Sequence, residues 1–168
     1  MMLLDEKGGA SDCGEAVVRT PAMMEGYYER PDLTREVLQD GWLRTGDVFA
    51  RDEQGLYYFK ARVKDVIKTG GENVYASEVQ AVILSHPEVQ DCVVKGVPDL
   101  VWGEAVAAIV QPMKGSALSP KAIQDFCKRH LASYKKPQKI GLVDDLGRDE
   151  SGKVGADRMN ELFSLAES

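Results

Sequence analysis

Residues 147–154, with the sequence GRDESGKV, carry the spacing Gly-x-x-x-x-Gly-Lys. This spacing is typical of a loop that binds nucleotide phosphates, because backbone N–H groups and an ammonium then face the anions. Val154, however, stands where such a loop needs Ser or Thr to hold magnesium, and Asp149 and Glu150 would place carboxylates beside the phosphates. From these residues alone, a solvated lysine on a Ser-Gly turn is the favoured alternative, and only the rest of the chain distinguishes the two.

The composition narrows the possible functions. The chain has 168 residues, of which 43% are hydrophobic and 29% charged, as in globular proteins. Its net charge of −6 argues against a nucleic-acid-binding surface. No apolar run has the length of a membrane span, and the start MMLLDEKGG is not typical of a secretory signal. Three widely separated cysteines favour a reducing, cytoplasmic location, and no metal site is predicted.

The first third of the chain is predicted to be rich in β-structure. Residues 14–20, GEAVVRT, are typical of a short strand, and residues 30–42 indicate one or two helical turns. Residues 47–63 predict a hairpin, because two apolar-rich runs flank the turn sequence Asp-Glu-Gln-Gly. We therefore expect a β-rich segment over residues 1–62.

Beyond residue 62 the pattern predicts a small α+β domain, residues 63–168, with a short mixed sheet flanked by helices. A short strand leads into the Gly70-Gly71 loop. The best-defined helix has Ser119 at its N-cap and Pro120 at its first position. The other predicted elements are helices over 76–86 and 156–163, and strands over 89–97, 104–112 and 139–145.

Five strings follow one another in the chain: GWLRTGDV, ARVKDVIKTGGENVYASEVQAVI, GVPDLVWGEAVAAIV, LASYKKPQKI and GRDESGKV. Together they resemble the adenylate-forming superfamily of acyl- and aryl-CoA synthetases, peptide-synthetase adenylation domains and beetle luciferases. The resemblance runs from about Gly14 to Lys153. The family patterns are Tyr/Trp-x-Arg-Thr-Gly-Asp, Gly-Arg-x-x-Asp-x-Ile-Lys-x-x-Gly and Pro-Arg-x-x-x-Gly-Lys, from which this chain departs at Ala61 and Gly147. We expect the second departure to loosen the loop that carries Lys153.

The resemblance implies that four residues serve nucleotide chemistry and domain movement. Lys153 corresponds to the adenylation lysine, whose ammonium stabilises the charge that develops when a carboxylate attacks the α-phosphate of ATP. Asp47 is expected to accept hydrogen bonds from both ribose hydroxyls, and Arg62 to reach ribose or phosphate oxygens. Lys64 falls at the hinge about which the small domain swings between half-reactions.

The resemblance also implies a CoA-binding region. Gly70 and Gly71 are expected to line the pantetheine tunnel, where a missing Cβ permits close backbone approach. Trp102, Tyr134 and Lys136 correspond to aromatic and basic positions at the tunnel mouth, where a ring packs on the CoA adenine and a lysine pairs with its phosphates. From the residues alone, a half-buried tryptophan and a solvated charge cluster are equally good interpretations.

Much of the family's machinery has no counterpart in this sequence. The Ser/Thr/Gly-rich phosphate loop, the motif that positions adenine and magnesium, and the acyl pocket are not found in it. The resemblance therefore implies that residues 1–62 end the large AMP-binding domain and that residues 63–168 form the small lid domain. We expect a C-terminal fragment that is inactive alone and whose missing N-terminal domain supplies the magnesium site.

The expected activity of the parent enzyme is that of an acyl-CoA synthetase of the fatty-acid–CoA ligase type. It would convert a carboxylic acid, ATP and CoA into acyl-CoA, AMP and pyrophosphate. GGENVYASEV stands where carrier-loading domains usually have Gly-x-Arg-Val-Glu-Leu, which favours CoA as the acceptor. The alternatives are an adenylation domain that loads a carrier protein and a non-catalytic binding module made from the small domain.

Overall fold

The computed structural model describes residues 1–165, and the chain forms two compact units, Met1–Lys64 and Asp65–Ser168. The division falls inside a single 3-10 turn, Val63–Asp65, two residues beyond the boundary expected from the sequence. Each unit contains one five-stranded sheet.

The sheet of the first unit is antiparallel and is organised around β4. This strand pairs with β2 along one edge, and with β3 and then β5 along the other, while β1 extends the sheet beyond β2. The pairing of β4 with β5 confirms the hairpin predicted over residues 47–63. The elements are β1 Met2–Leu4, β2 Cys13–Val18, α1 Pro31–Val37, β3 Leu38–Gln39, β4 Trp42–Arg51 and β5 Tyr57–Arg62.

Helix α1 has about two turns, as predicted within residues 30–42, and it ends at Val37. The chain leaves the helix at Leu38 because Leu38–Gln39 pair with Trp42 and Leu43 across a two-residue loop. Asp40 and Gly41 form that loop with φ values of +51° and +76°. An Asp-Gly pair is among the few that adopt two positive φ angles readily, as such hairpin turns require.

The sheet of the second unit is mixed and is organised around β9. This strand is antiparallel to β8 on one edge and parallel to β10 on the other, and β6 joins it where Thr69 pairs with Gly103. β6 in turn pairs antiparallel with β7. The elements are β6 Val66–Thr69, β7 Glu72–Tyr75, α2 Ala76–Leu84, β8 Val89–Asp99, β9 Gly103–Pro112, α3 Pro120–His130, β10 Lys139–Leu142 and α4 Ala156–Leu165.

Strand β9 forms the centre of this unit because both of its faces are covered. Val106, Ala108 and Val110 face the cluster that includes residues of α2 and α3, while the alternate residues pack with Leu162 and Phe163 of α4. This alternation is what a strand enclosed between two helical layers requires. The predicted α+β fold, a short mixed sheet flanked by helices, is confirmed for the second unit.

Two buried thiols lie in the α2–α3 side of this core. Burial raises the pKa of Cys92 to about 12 and that of Cys127 to about 11. At neutral pH both are therefore protonated and act as small apolar side chains. No helix within residues 1–165 is long and apolar enough to cross a membrane.

Candidate functional site

Lys153 lies on a tight hairpin formed by residues 148–154, hereafter the Lys153 hairpin. Arg148 and Val154 form its antiparallel base. The N–H of Asp149 donates to the Lys153 carbonyl at 2.8 Å, and the N–H of Gly152 donates to the Asp149 carbonyl at 2.9 Å. Gly152 has a φ of +78°, which a residue without Cβ adopts at no steric cost. The backbone is thereby fixed while the Lys153 side chain remains exposed.

The carboxylate of Asp149 accepts hydrogen bonds from backbone amides of the Lys153 hairpin. Its Oδ1 accepts from the Ser151 hydroxyl at 2.7 Å, and from the N–H groups of Ser151 and Lys153 at 2.9 Å each. These bonds, above all that of the hydroxyl, lower the pKa of Asp149. A phosphate-binding loop must present its amides to the ligand, so this geometry contradicts the phosphate-loop interpretation of GRDESGKV.

Arg148 ties the Lys153 hairpin to strand β8. Its Nε lies 2.5 Å from Oδ2 of Asp91, and its Nη2 lies 2.8 Å from Oδ1 of the same carboxylate. Its Nη1 donates to the carbonyl of Gly152 at 2.8 Å. The side-chain hydrogen bonds raise the pKa of Arg148 and lower that of Asp91. No local sequence pattern indicates this pair, because its members are 57 positions apart.

Gly147 stands where the family pattern has proline, immediately before the Lys153 hairpin. Its φ is +71°, whereas the proline ring fixes φ near −65°. Its N–H donates to Oδ1 of Asp145 at 2.9 Å, a bond that proline does not make. The backbone here therefore requires glycine. The hairpin that follows is held by Arg148 and Asp149, which gives no support to the expected loosening.

Asp47 and Arg62 face each other across β4 and β5, where the strand register makes them direct partners. Nε of Arg62 lies 2.7 Å from Oδ1 of Asp47. That oxygen is buried and accepts no hydrogen bond within residues 1–165, whereas the Asp47 side chain as a whole is 30% exposed. The two side chains form an ion pair, and the exposed part of the carboxylate can still accept a hydrogen bond from a ligand.

Lys64 lies in the 3-10 turn Val63–Asp65, directly at the division between the two units. The turn follows β5 and leads into β6 with no longer linker. The hinge role of Lys64 stays a prediction.

Gly70 and Gly71 form the two-residue loop of the β6–β7 hairpin, with φ values of +58° and +83°. The two glycines differ in their surroundings. A Cβ on Gly70 would lie 2.8 Å from Cε3 of Trp102, whereas a Cβ on Gly71 would meet nothing within 4 Å. The N–H of Gly70 also donates to the Trp102 carbonyl at 2.9 Å. The structure thus brings Gly70 and Trp102 into direct contact and leaves Gly71 open.

Trp102 belongs to a short loop between β8 and β9, residues 100–102, hereafter the Trp102 loop. Its indole is 50% exposed, and Leu100 and Val101 are more exposed still. Oδ1 of Asp99 accepts from the N–H groups of Val101 at 2.9 Å and Trp102 at 3.0 Å, and these bonds lower the pKa of Asp99. The loop therefore holds a flat, half-exposed aromatic surface in a defined position.

Tyr134 and Lys136 flank a residue that is already paired. Nζ of Lys135 lies 2.7 and 2.8 Å from the two carboxylate oxygens of Glu78, and its side chain is only 20% exposed. The interpretation as a fully solvated charge cluster is therefore wrong for Lys135. Tyr134 is exposed and Lys136 half-buried. Among the described residues, no hydrogen bond or ion pair links this turn to Trp102.

Residues 78–153 match the AMP-binding enzyme C-terminal domain. These residues belong to this adenylate-forming family. Lys153 is the last residue of the matched segment, and Glu78, the partner of Lys135, is its first. Within residues 1–165 no group of three His, Cys, Asp or Glu side chains is arranged to hold a metal ion.

Two relatives that carry different enzyme names are similar to most of this chain. A 2-succinylbenzoate–CoA ligase from Geobacillus kaustophilus is 39% identical over 167 residues, which cover 99% of this chain and 34% of the relative. A fatty acid–[acyl-carrier-protein] ligase, ScoC, from Streptomyces coeruleorubidus is 41% identical over 150 residues, covering 89% of this chain and 29% of the relative.

Solved structures share the fold. The crystal structure of ATP-bound MatB from Rhodopseudomonas palustris superimposes with a TM-score of 0.85 and 33% identity, covering 96% of this chain and 33% of that chain. The chain thus spans about a third of the length of the AMP-binding relatives it matches.

Proposed function

We propose that this chain is the C-terminal part of an ATP-dependent ligase that joins a carboxylic acid to the thiol of CoA. In the first half-reaction the carboxylate attacks the α-phosphate of ATP, forming an acyl-adenylate and releasing pyrophosphate. In the second, the thiol attacks the acyl carbon, forming a thioester and releasing AMP. One observation carries the proposal: the side chain of Lys153 is exposed, while its backbone N–H is already bound to the carboxylate of Asp149.

Lys153 serves the first half-reaction. The carboxylate and the triphosphate are both anions, and negative charge grows on the leaving oxygens as pyrophosphate departs. An ammonium placed there stabilises the transition state more than the separated reactants. Because Asp149 occupies the amides of the Lys153 hairpin, the lysine ammonium is the group of the hairpin that meets phosphate oxygens.

Asp47 and Arg62 bind the nucleotide. The Asp47 side chain is 30% exposed, and the accessible part of its carboxylate can accept a hydrogen bond from a ribose hydroxyl. Arg62 pairs with the carboxylate through Nε and presents its remaining N–H groups to ribose or phosphate oxygens. The ligands of the magnesium that accompanies ATP are assigned to the remainder of the parent enzyme.

Trp102 and Lys136 bind CoA near the glycine loop. The half-exposed indole offers a flat apolar surface to the adenine ring, and the Lys136 ammonium offers a charge to the phosphates. Gly71 has open space around its Cα, which suits close passage of the pantetheine arm. ScoC, a relative named for a carrier protein, supports a carrier thiol as the second candidate. Thioester formation with free CoA and with a phosphopantetheinylated carrier protein, assayed in parallel, distinguishes the two acceptors.

The decisive experiment replaces Lys153 with alanine in the full-length ligase. Carboxylate-dependent ATP–pyrophosphate exchange is measured with short- to long-chain fatty acids and substituted benzoates. Loss of one charge contact in the transition state should lower exchange by about 10²–10³-fold. The same variant, given chemically made acyl-adenylate and CoA, should form thioester at nearly the parent rate.

Lys121→Ala, which removes an exposed lysine from helix α3, serves as the matched control and should change neither half-reaction. The isolated 168-residue chain, assayed alongside, is expected to give no exchange. If Lys153→Ala slowed both half-reactions equally, or neither, Lys153 would not be the adenylation lysine. Clear exchange by the isolated chain would contradict the assignment of the phosphate loop and acyl pocket to the remainder of the enzyme.

A further inference from the structure

The guanidinium of Arg148 contacts both strand β8 and the backbone of the Lys153 hairpin. On one side it binds the carboxylate of Asp91 through two nitrogens, at 2.5 and 2.8 Å. On the other it donates at 2.8 Å to the carbonyl of Gly152, the residue directly before Lys153. One rigid, planar group therefore joins the backbone beside Lys153 to strand β8.

Strand β8 is a firm attachment point. It pairs with the buried strand β9 from Val89 to Asp99, and Asp91 lies beside the buried Cys92 in that ladder. A third contact of the guanidinium, 3.4 Å from Nη2 to the Cys92 carbonyl, reaches the same strand. The hairpin has its own internal bonds, but these order its residues only relative to one another. Arg148 links the hairpin to the sheet through side-chain hydrogen bonds, in addition to the packing of Val154 on the core.

Lysine does not reproduce this arrangement. Its single ammonium is a point charge, whereas the fork of arginine binds a carboxylate at two points and still has an N–H for a carbonyl. The hydrogen bonds from Arg148 hold the pKa of Asp91 below its usual range, so the pair remains ionised at neutral pH.

We propose that Arg148, paired with Asp91, is a positioning residue that holds the Lys153 ammonium in place for adenylate formation. The proposal rests on the adenylation role assigned to Lys153 above. Arg148 itself acts only through the hairpin. A tether of this kind matters because a misplacement of about 1 Å of a catalytic group can cost about 10²-fold in rate.

The first test follows backbone order and does not depend on activity. Amide hydrogen exchange by mass spectrometry on the 168-residue chain compares the peptide that spans the Lys153 hairpin in Arg148→Ala, Arg148→Lys and the parent. Arg148→Ala should raise the exchange rate of this peptide roughly fivefold or more, while the α3 peptide stays unchanged. Arg158→Ala is the matched control, since Arg158 also binds one carboxylate and one carbonyl, those of Glu161 and Asp145, outside the hairpin.

The second test measures both half-reactions in the full-length ligase. Arg148→Ala should lower kcat of ATP–pyrophosphate exchange about 10–100-fold, with a smaller change in the KM for ATP. Thioester formation from supplied acyl-adenylate should stay near the parent rate. Arg148→Lys should lie between Arg148→Ala and the parent. Asp91→Asn, which keeps the shape and removes the charge, repeats the measurement if Arg148→Ala does not fold.

The two tests separate the failure of this proposal from that of the proposed function. If Lys153→Ala abolished exchange while Arg148→Ala kept the parent kcat, the positioning role would be overturned and the adenylation role would stand. If the peptide that spans the Lys153 hairpin exchanged its amide hydrogens at the parent rate in Arg148→Ala, the tethering role of Arg148 would be overturned, regardless of the rates of the two half-reactions. If Lys153→Ala exchanged pyrophosphate like the parent, the proposed adenylation role of Lys153 would fail, and this positioning role with it. An equal loss of both half-reactions in Arg148→Ala would indicate a general structural role and overturn the proposal.

Discussion

The Lys153 hairpin and the Trp102 loop each present an exposed side chain. Both are ordered by an aspartate that binds backbone amides, but they are attached to the rest of the fold in different ways. In each, one oxygen of an aspartate, Asp149 or Asp99, accepts hydrogen bonds from nearby backbone N–H groups. The Lys153 hairpin is then attached to the sheet by an ion pair, whereas the indole of Trp102 is packed against a glycine that has no room for Cβ.

This difference follows from what each side chain presents. An ammonium is positioned through its backbone, because the side chain itself must remain solvated and reach a ligand; a charged tether elsewhere in the loop does not interfere with that. An indole is positioned through its ring, because its flat surface is what a ligand would contact. We therefore expect the two loops to be disturbed by different changes. Loss of a charge should disturb the Lys153 hairpin, and addition of a methyl group at Gly70 should disturb the Trp102 loop.

The largest effect is expected from Gly70→Ala. Its Cβ would lie 2.8 Å from Cε3 of Trp102, and φ at this position is +58°, so the variant combines a steric overlap with an unfavourable backbone. We expect a loss of about 2–3 kcal/mol in the free energy of unfolding. Chemical denaturation measures this loss, and the fluorescence of Trp102 in a Trp42→Phe background reports displacement of the ring.

Gly71→Ala provides the control for that prediction. Its φ of +83° is equally unfavourable for alanine, but its Cβ would meet nothing within 4 Å. It should lose only the backbone contribution, about 1–2 kcal/mol, and leave the Trp102 emission unchanged. Equal losses in the two variants would show that the contact between Gly70 and the indole contributes nothing to stability.

A moderate and pH-dependent effect is expected from Asp91→Asn. Arg148 lowers the pKa of Asp91 in the folded chain, so the unfolded chain binds the proton more tightly. The stabilisation is therefore complete above the unfolded pKa of about 4 and is lost as the pH falls through the folded value. Because both side chains are partly exposed, we expect it to contribute only about 1 kcal/mol at neutral pH.

Urea denaturation of parent and variant between neutral and acid pH tests this expectation. The difference between their free energies of unfolding should be constant at neutral pH and should shrink in the acid range. Arg158→Ala, which breaks a more exposed pair, should give a smaller difference at neutral pH. A difference between Asp91→Asn and the parent that grew on acidification would contradict the assigned direction of the pKa shift.

The sequence predicted the long elements of the second unit well, and its short hairpins poorly. The buried strands β8 and β9 have continuous apolar runs, and α3 has a capping serine whose Oγ accepts the N–H of Ala122 at 3.2 Å, as expected for Ser119. Strand β7 is not predicted, because Gly70-Gly71 indicates a loop after β6, whereas two positive φ angles also make a two-residue hairpin turn.

The candidate site was only partly predictable, for a physical reason. Motif spacing indicates which side chains carry charge or omit a Cβ, and the structure pairs Asp47 with Arg62 and Gly70 with Trp102. Local spacing contains no information about contacts such as that of Arg148 with Asp91, which exist only because β8 and the hairpin meet in the folded chain. The roles in catalysis and CoA binding stay predictions.

The smallest effect is expected from Asp99→Ala in the Trp102 loop. The carboxylate accepts two backbone N–H groups, and both amides lie at the surface, where water replaces the lost acceptor. The midpoint of global unfolding should therefore hardly move, while amide hydrogen exchange of residues 100–102 should become faster. Asp99→Asn keeps an Oδ1 acceptor and should restore slow exchange.

The Gly70 amide, which donates to the Trp102 carbonyl, should respond in the same direction but less, because the packing of the indole on Gly70 is retained. If Asp99→Ala loosened the Trp102 loop no more than Asp99→Asn, the carboxylate would not preset the loop, and contact with Gly70 alone would position the ring.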